Sequence, residues 1–223
     1  MKIIRTILTT TSLASALLLS GTALARDNAQ YEITVTNITQ GEIFTPIMVA
    51  SHTRGVKLFE LGKPASTELE ILAEGGNPGP LADSLISSGA ALDVATADGV
   101  LLPGSSLTLH VKTDRHHSHV SVAAMLVPSN DAFFAVNGIA GPLGKKTKML
   151  FSPAYDAGGE NNDESCAHVP GPPFVCSGEG YNAASGEGYV YIHPGIQGIG
   201  DINAASYDWN NPVARITIRR VKD

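Results

Sequence analysis

The chain has 223 residues, a formal net charge of −6 at pH 7 and only two cysteines. An acidic chain is poorly suited to nucleic acid or anionic lipid as a general partner, because both also carry negative charge. Beyond the N-terminal region the sequence has no uninterrupted apolar stretch of about 18 residues, so a later membrane-spanning helix is not predicted.

The first 25 residues have the pattern of a secretory signal peptide. Lys2 and Arg5 precede an apolar run over residues 7–19, and "ALA" at 23–25 matches the small-residue cleavage pattern. Cleavage leaves residues 26–223 with a net charge of −8, since the removed segment contains two basic residues and no acid. We therefore expect an exported protein, periplasmic or secreted, with a single domain over residues 26–223.

The first elements after the cleavage site are two strands and two helices. The alternating segment "YEITVTN" and the later segment "TPIMVASH" (residues 45–52) predict strands. Thr67 and Glu70 have capping-box spacing and predict a helix that ends at Gly75–Gly76. A second short helix is predicted from Pro80 to Gly89.

The rest of the chain has strand character interrupted by turn-forming residues. The predicted strands are "ALDVATA", "SSLTLHVKT", "HVSVAAMLV", "AFFAVNG", "TKMLFSPAY", "GYVYIHP" and "PVARITIRRV". Short strands at this spacing are typical of an antiparallel sandwich. The predicted fold is all-β, a β-sandwich with one or two short helices in a crossover. Residues 158–185 form a long loop, and loops of that length in compact domains are often functional.

Acidic residues follow two of the predicted strands. Asp131 comes just after "SVAAMLV", and Asp156 and Glu160 come just after "TKMLFSP". If both strands end on the same side, these carboxylates converge, and Ca²⁺ prefers six to eight oxygen ligands. Gly158 and Gly159 would let the chain turn back between Asp156 and Glu160. The alternative is that these acids only solvate loop ends.

The cysteines and histidines suggest two further features. In an oxidising compartment, Cys166 and Cys176 are expected to form a disulfide that closes a small loop. "DRHHSHV" contains His116, His117 and His119, and alternation on a strand would place His117 and His119 on one face. Together with His193, these side chains are candidate Zn²⁺ or Cu²⁺ ligands, as in an exported metalloenzyme, or simply part of a polar turn.

No sequence motif indicates catalysis. The chain lacks a G-x-S-x-G elbow, a phosphate-binding loop and a dinucleotide fingerprint. We therefore expect a protein that is not an enzyme. Trp209 is expected in the core at an edge of the sandwich rather than in an exposed aromatic cluster.

Four blocks of the sequence resemble the spondin N-terminal domain family in its bacterial branch. They are "MLVPSNDAFFAVNG", "YDAGGENNDE", "EGYVYIHPGIQGIGD" and "YDWNNPVARITIRRV", and the resemblance runs over residues 31–221. It implies an antiparallel β-sandwich similar to C2 domains, with a calcium ion held by loops at one end. It also implies an exported module that binds or adheres to an extracellular or envelope protein or glycan.

The resemblance carries a ligand set onto this chain. It implies that Ca²⁺ is held by Asp131, Asp156 and Glu160 and by the carbonyl oxygen of Tyr155. Animal relatives tend to have Asp where this chain has Glu160, and the longer Glu side chain can still reach an ion. They have Trp where this chain has Ala132, so a contact made by that ring is not expected here. We expect a monomer with no nucleic-acid partner, and the net charge disfavours C2-like lipid binding unless calcium bridges to lipid phosphates.

Overall fold

A computed structural model describes residues 29–183 and 186–222, so the predicted signal peptide lies outside the described residues. The described chain forms two antiparallel sheets. The strands are β1 Ala29–Asn37, β2 Ile43–Phe44, β3 Met48–His52, β4 Ala91–Thr96, β5 Ser106–Thr113, β6 His119–Val127, β7 Ala132–Ala140, β8 Thr147–Ser152, β9 Ala154–Asp156, β10 Tyr191–Ile192 and β11 Ala214–Lys222.

The smaller sheet has four strands in the order β5-β1-β11-β8. Along β1 every second side chain is buried, as the alternation in the sequence predicts for a sheet with one face in water. Ile33 and Val35 of β1 lie opposite Ile218 and Ile216 of β11, and all four side chains belong to the core between the sheets. The outer face of this sheet carries the ion pair between Glu32 and Arg219.

The larger sheet has the strand order β10-β9-β7-β6-β3-β4, and β2 pairs with β6. Its central strand β6 is buried at nearly every position. The reason is that β6 has a core on both faces: Val120 and Val122 pack toward the other sheet, whereas Ala123 packs toward the helices. The predicted all-β antiparallel sandwich is confirmed.

Two helices cover the outer face of the larger sheet. Helices α1 Thr67–Gly75 and α2 Gly79–Ser87 both lie in the connection from β3 to β4. The predicted capping box is wrong by one residue: the N-cap is Ser66, whose hydroxyl accepts a hydrogen bond from Leu69 N. Gly76 ends α1 with φ 64°, the left-handed conformation that glycine adopts at helix C-termini. A third, short helix is α3 Ala204–Tyr207.

The predicted strand over residues 147–155 is divided between the two sheets. β8 pairs with β11 in the smaller sheet, and β9, after Pro153, pairs with β7 in the larger one. A run of apolar residues does not indicate which sheet each part joins, so the sequence pattern could not show this division. The strands predicted over residues 45–52 and 188–194 are shorter in the structure than predicted, because only the residues of β3 and β10 pair with neighbouring strands there.

Three smaller features complete the fold. Cys166 and Cys176 form the predicted disulfide, with 4.9 Å between their Cα atoms. Trp209 is buried in the core, as expected. Within the described ranges, no helix is long and apolar enough to cross a membrane.

Candidate metal centre

The strand pairing brings Asp131 and Asp156 together. Asp131 is the last residue of the short connection between β6 and β7, and Asp156 is the last residue of β9. Ala132, the first residue of β7, lies directly opposite Asp156. The side chains of Asp131 and Asp156 therefore meet at one end of the larger sheet, as the sequence predicted if the two strands ended together.

These two aspartates form a buried group with His193. Asp131 and Asp156 have no exposed surface and His193 is 3% exposed. One potential ligand atom from each residue lies within 4.8 Å of those of the other two. Among the described residues, neither aspartate forms an ion pair with lysine or arginine. No permanently cationic side chain in the described part of the chain therefore balances these two carboxylates when they ionise.

One oxygen of Asp131 is left without a partner. Its Oδ2 accepts hydrogen bonds from Gly159 N at 3.0 Å and Glu160 N at 3.3 Å. Its Oδ1 is buried and has no hydrogen-bond partner among the described residues. Burial and the neighbouring Asp156 raise the pKa of Asp131 well above its usual range. A bound cation would supply the missing partner and favour the charged form.

Asp156 is held by the turn that follows it and by an amide. Its Oδ1 accepts a hydrogen bond from Gly158 N at 2.8 Å, and its Oδ2 accepts one from Asn162 Nδ2 at 2.6 Å. Gly158 has φ 74°, a conformation that only glycine adopts without strain. The predicted turn between Asp156 and Glu160 therefore depends on this glycine. Burial raises the pKa of Asp156 to about 6, against the lowering effect of the Asn162 hydrogen bond.

His193 lies in the group but is oriented by other hydrogen bonds. Its Nδ1 accepts a hydrogen bond from Gly195 N at 3.0 Å, so the proton of the neutral ring is on Nε2. That nitrogen lies 3.0 Å from Asn162 Oδ1, to which it donates, and 3.8 Å from Asp156 Oδ2. Burial lowers the pKa of His193 to about 4, which keeps the ring neutral at pH 7. In this arrangement His193 positions Asn162, and Asn162 positions Asp156.

The other two predicted ligands are placed differently. The Tyr155 ring packs against Phe59 and Phe133 on the helix side of the sheet, so Tyr155 has only its carbonyl to offer an ion. The Glu160 carboxylate is outside the group of atoms within 4.8 Å, and its Oε1 accepts a hydrogen bond from Asn182 Nδ2 at 3.0 Å. Burial raises the pKa of Glu160 to about 7.

Comparison with known protein families identifies the family of this chain. The family model described as Spondin_N matches residues 34–145, half of the chain. The chain belongs to the spondin N-terminal domain family. A search of curated proteins found no match. The matched span contains Asp131 and ends before Asp156, so it covers one of the two blocks that contain the buried aspartates.

Several residues of this spondin-domain site were not singled out from the sequence. Asn162 links Asp156 to His193 and also donates a hydrogen bond to the Tyr191 hydroxyl at 3.1 Å. Glu187 is exposed, and its charge contributes to the raised pKa values of Asp131 and Asp156 after the larger effect of burial. Each of them lies in a block that carries the family resemblance: Asn162 within "YDAGGENNDE", and Glu187 and Tyr191 within "EGYVYIHPGIQGIGD".

The histidine-rich turn lies at the other end of β6. His117 Nδ1 is 2.9 Å from Asp114 Oδ1, and the same oxygen accepts the backbone N–H groups of His116 and His117. His119 begins β6, whereas Asp131 follows the end of that strand, so the two regions are about 26 Å apart along it. No metal-sized group in the described chain includes His116, His117 or His119. His193 therefore cannot share an ion with them.

The residues of the acidic end fit a hard cation such as Ca²⁺. Asp131 and Asp156 offer carboxylate oxygens here, and one buried Asp131 oxygen has no hydrogen-bond partner within the described ranges. Hard divalent cations prefer oxygen ligands of this kind. Asp131 and Asp156 would hold the ion, with the Tyr155 carbonyl and Glu160 as further oxygen donors close in the chain. The imidazole of His193 orients the amide behind Asp156.

Proposed function

We propose that this chain is an exported, calcium-binding β-sandwich module that binds or adheres to an extracellular or envelope partner and has no catalytic activity. The observation that carries the calcium proposal is the buried pair Asp131 and Asp156, for which residues 29–183 and 186–222 supply no lysine or arginine partner and leave one Asp131 oxygen without a hydrogen bond. Two adjacent buried carboxylates repel each other and resist ionisation unless a cation compensates them.

The role proposed for the ion is to order the loops at this end of the sandwich. The turn after β9 is tied to Asp131 through the N–H groups of Gly159 and Glu160. An ion held by both aspartates would fix this turn against the β6–β7 connection. Binding adds RT ln(1 + [L]/Kd) to the free energy of unfolding, about 2.7 kcal/mol when the free calcium concentration is a hundredfold above Kd.

The partner is proposed to be a protein or a glycan outside the cytoplasm. Membership of the spondin N-terminal domain family supports an extracellular module, and the disulfide between Cys166 and Cys176 fits an oxidising compartment. Binding of the labelled protein to the cells that export it, with calcium and with chelator, tests this part. Equal binding in the two conditions would show that adhesion does not depend on calcium. No binding in either condition would contradict adhesion.

The calcium proposal is tested by the melting temperature of residues 26–223 in calcium, magnesium, zinc and chelator. For a domain of this size about 2.7 kcal/mol corresponds to a shift of roughly 5–10 °C. We expect that increase with calcium and a smaller one with magnesium, which demands a tighter octahedral site. An unchanged melting temperature with calcium would contradict the proposal.

The matched variants are Asp156→Asn and Asp98→Asn. Asp156→Asn removes one charge from the centre, and we expect it to abolish most of the calcium-dependent increase while changing the chelator value little. Asp98 is exposed, so Asp98→Asn removes the same charge elsewhere and should keep the full calcium effect. Equal loss of stability in calcium and in chelator for Asp156→Asn would indicate a structural defect rather than a lost ligand.

A second candidate function is that of an exported metalloenzyme that uses Zn²⁺ or Cu²⁺. It is favoured by one observation: His193 places a ring nitrogen within 4.8 Å of ligand atoms of both aspartates. To bind a metal through Nε2, His193 would have to lose its hydrogen bond to Asn162. A larger thermal shift with zinc than with calcium, and zinc retained after purification without metal columns, would favour this function.

A further inference from the structure

Helix α1 carries a buried acid that the proposed calcium site does not use. Glu74 is one residue before the end of α1 and is only 1% exposed. The Glu160 side chain is 4% exposed. Burial of carboxylates at this level is uncommon unless they are paired with a base or a metal. In the described chain, neither forms an ion pair with a lysine or an arginine.

One residue of the long loop connects these two acids. The backbone N–H of Asn182 donates to Glu74 Oε2 at 3.3 Å, and its side-chain amide donates to Glu160 Oε1 at 3.0 Å. Asn182 therefore holds one oxygen of each carboxylate. The two acids are 86 positions apart in the sequence, and this part of the loop brings them to a common point.

The remaining oxygens of both carboxylates are buried without partners. Glu74 Oε1 and Glu160 Oε2 have no hydrogen-bond partner among the described residues. Glu74 Oε1 points at the turn that leads into Glu160, since a Cβ added to Gly159 would lie 2.1 Å from it. Glu70, one helical turn earlier, has its Cγ 3.4 Å from the same position. The unpartnered Glu74 oxygen thus lies beside the turn that carries Glu160, and the side chain of Glu70 approaches the same turn.

This cluster is electrostatically distinct from the Asp131–Asp156 centre. The charges that act most strongly on Glu74 are those of Glu160 and Glu70. Those that act most strongly on Asp131 are those of Asp156 and Glu187. Glu160 is the residue that links the two regions, because its backbone N–H bonds Asp131 while its carboxylate faces Asn182.

We propose that Glu74 and Glu160 form a second cation site, for a hard divalent ion such as Ca²⁺, between helix α1 and the long loop at Asn182. The two carboxylates balance the charge of one such ion, and their oxygens supply ligands of the preferred kind. The site fastens the loop to α1 and makes their contact dependent on the ion. The proposal shares Glu160 with the calcium site of the proposed function, but its deciding residue, Glu74, belongs only to the second site.

The test is the calcium stoichiometry of residues 26–223, measured by calorimetric titration of protein stripped with chelator. The variants are Glu74→Gln and Asp156→Asn, each of which removes one charge and preserves side-chain shape. Glu68→Gln is the control, because it changes the same charge on a different face of α1, six residues from Glu74. Hydrogen exchange of residues 178–183 with and without calcium reports the contact between the loop and α1 directly.

We expect about two calcium ions per chain for the wild type and for Glu68→Gln, and about one for each of the other variants. Calcium-dependent protection of residues 178–183 should disappear in Glu74→Gln and persist in Asp156→Asn. One ion lost only in Glu74→Gln would support this site and contradict the proposed function. One ion lost only in Asp156→Asn would overturn this site and leave the proposed function standing. A wild type that binds a single ion, which both Glu74→Gln and Asp156→Asn lose, would also overturn it, since Glu74 would then belong to the same centre as Asp156.

Discussion

The acidic end of the sandwich and the histidine-rich turn both contain residue types that bind metals, yet their environments differ. Asp131 and Asp156 are fully buried, lie at the ends of separate strands and leave one oxygen without a partner among the described residues. In the turn, His117 is satisfied by Asp114 three positions earlier, and that oxygen also caps the local backbone. A sequence rich in metal-binding residue types is thus by itself a weak indicator of a metal site. Uncompensated burial of charge is the stronger one, because it costs free energy that a cation can offset.

The largest predicted effect that distinguishes the acidic end from the histidine-rich turn is the loss of calcium affinity when His193 is replaced. We expect His193→Asn to weaken calcium binding by about tenfold, since orienting residues behind a metal ligand typically contribute 10- to 100-fold in affinity. Asn can replace Nδ1 as an acceptor for Gly195 N but cannot reach Asn162. His193→Gln places an amide near the Nε2 position and should recover part of the affinity. Calcium titration measures both variants, and equal losses would contradict a positioning role.

An intermediate effect should appear in the dependence of the calcium-induced thermal shift on pH. In chelator the pKa values of Glu74 and Glu160 are raised by burial to about 7, above their unfolded values. A raised carboxyl pKa means that the folded state binds more protons, so stability in chelator falls as pH rises through about 7. Calcium competes with those protons, and the shift should therefore be larger at pH 8 than at pH 6.5.

The pH window is chosen to exclude His193. Its pKa is lowered by burial to about 4, so its contribution to stability is complete above the unfolded value of about 6.5 and is lost only as pH falls toward 4. His193 therefore does not contribute between pH 6.5 and 8, where the buried carboxylates titrate together with His168, whose pKa is raised by its hydrogen bond with Asp163. A thermal shift that is constant over this range would show that buried carboxylates do not set the calcium dependence.

The smallest effect is expected at the histidine-rich turn. The double variant His117→Gln with His119→Gln should leave the calcium-induced shift unchanged within about 1 °C, because the turn lies at the opposite end of β6. Melting temperatures in calcium and in chelator give the measurement. His119 lies near buried His52, so the double variant can lower both melting temperatures equally. The difference between the calcium and chelator values would then stay the same. A smaller difference in the variant would mean that the two regions are coupled.

The order of the strands and the two helices could be read from local patterns. β1 alternates between apolar and polar residues, and α1 ends at Gly76, where the left-handed conformation is needed. These features depend on near neighbours, which the sequence displays directly. The N-cap was misplaced by one residue because Ser66 and Thr67 are both good caps and only the first hydrogen-bonds to Leu69. The division of residues 147–155 between two sheets required knowledge of the strand partners.

The sequence by itself determined that acids follow two strand ends, that two cysteines can pair and that the chain resembles a family with an acidic calcium site. Only the tertiary structure decided which of those acids meet. Asp131 and Asp156 are adjacent because β7 and β9 pair, and Asn162 and His193 support Asp156 because distant loops converge there. Glu74 lies beside the Gly159 turn because α1 packs on the larger sheet, and Asn182 hydrogen-bonds both Glu74 and Glu160. Contacts of this kind are set by packing between remote segments, and no local pattern encodes them.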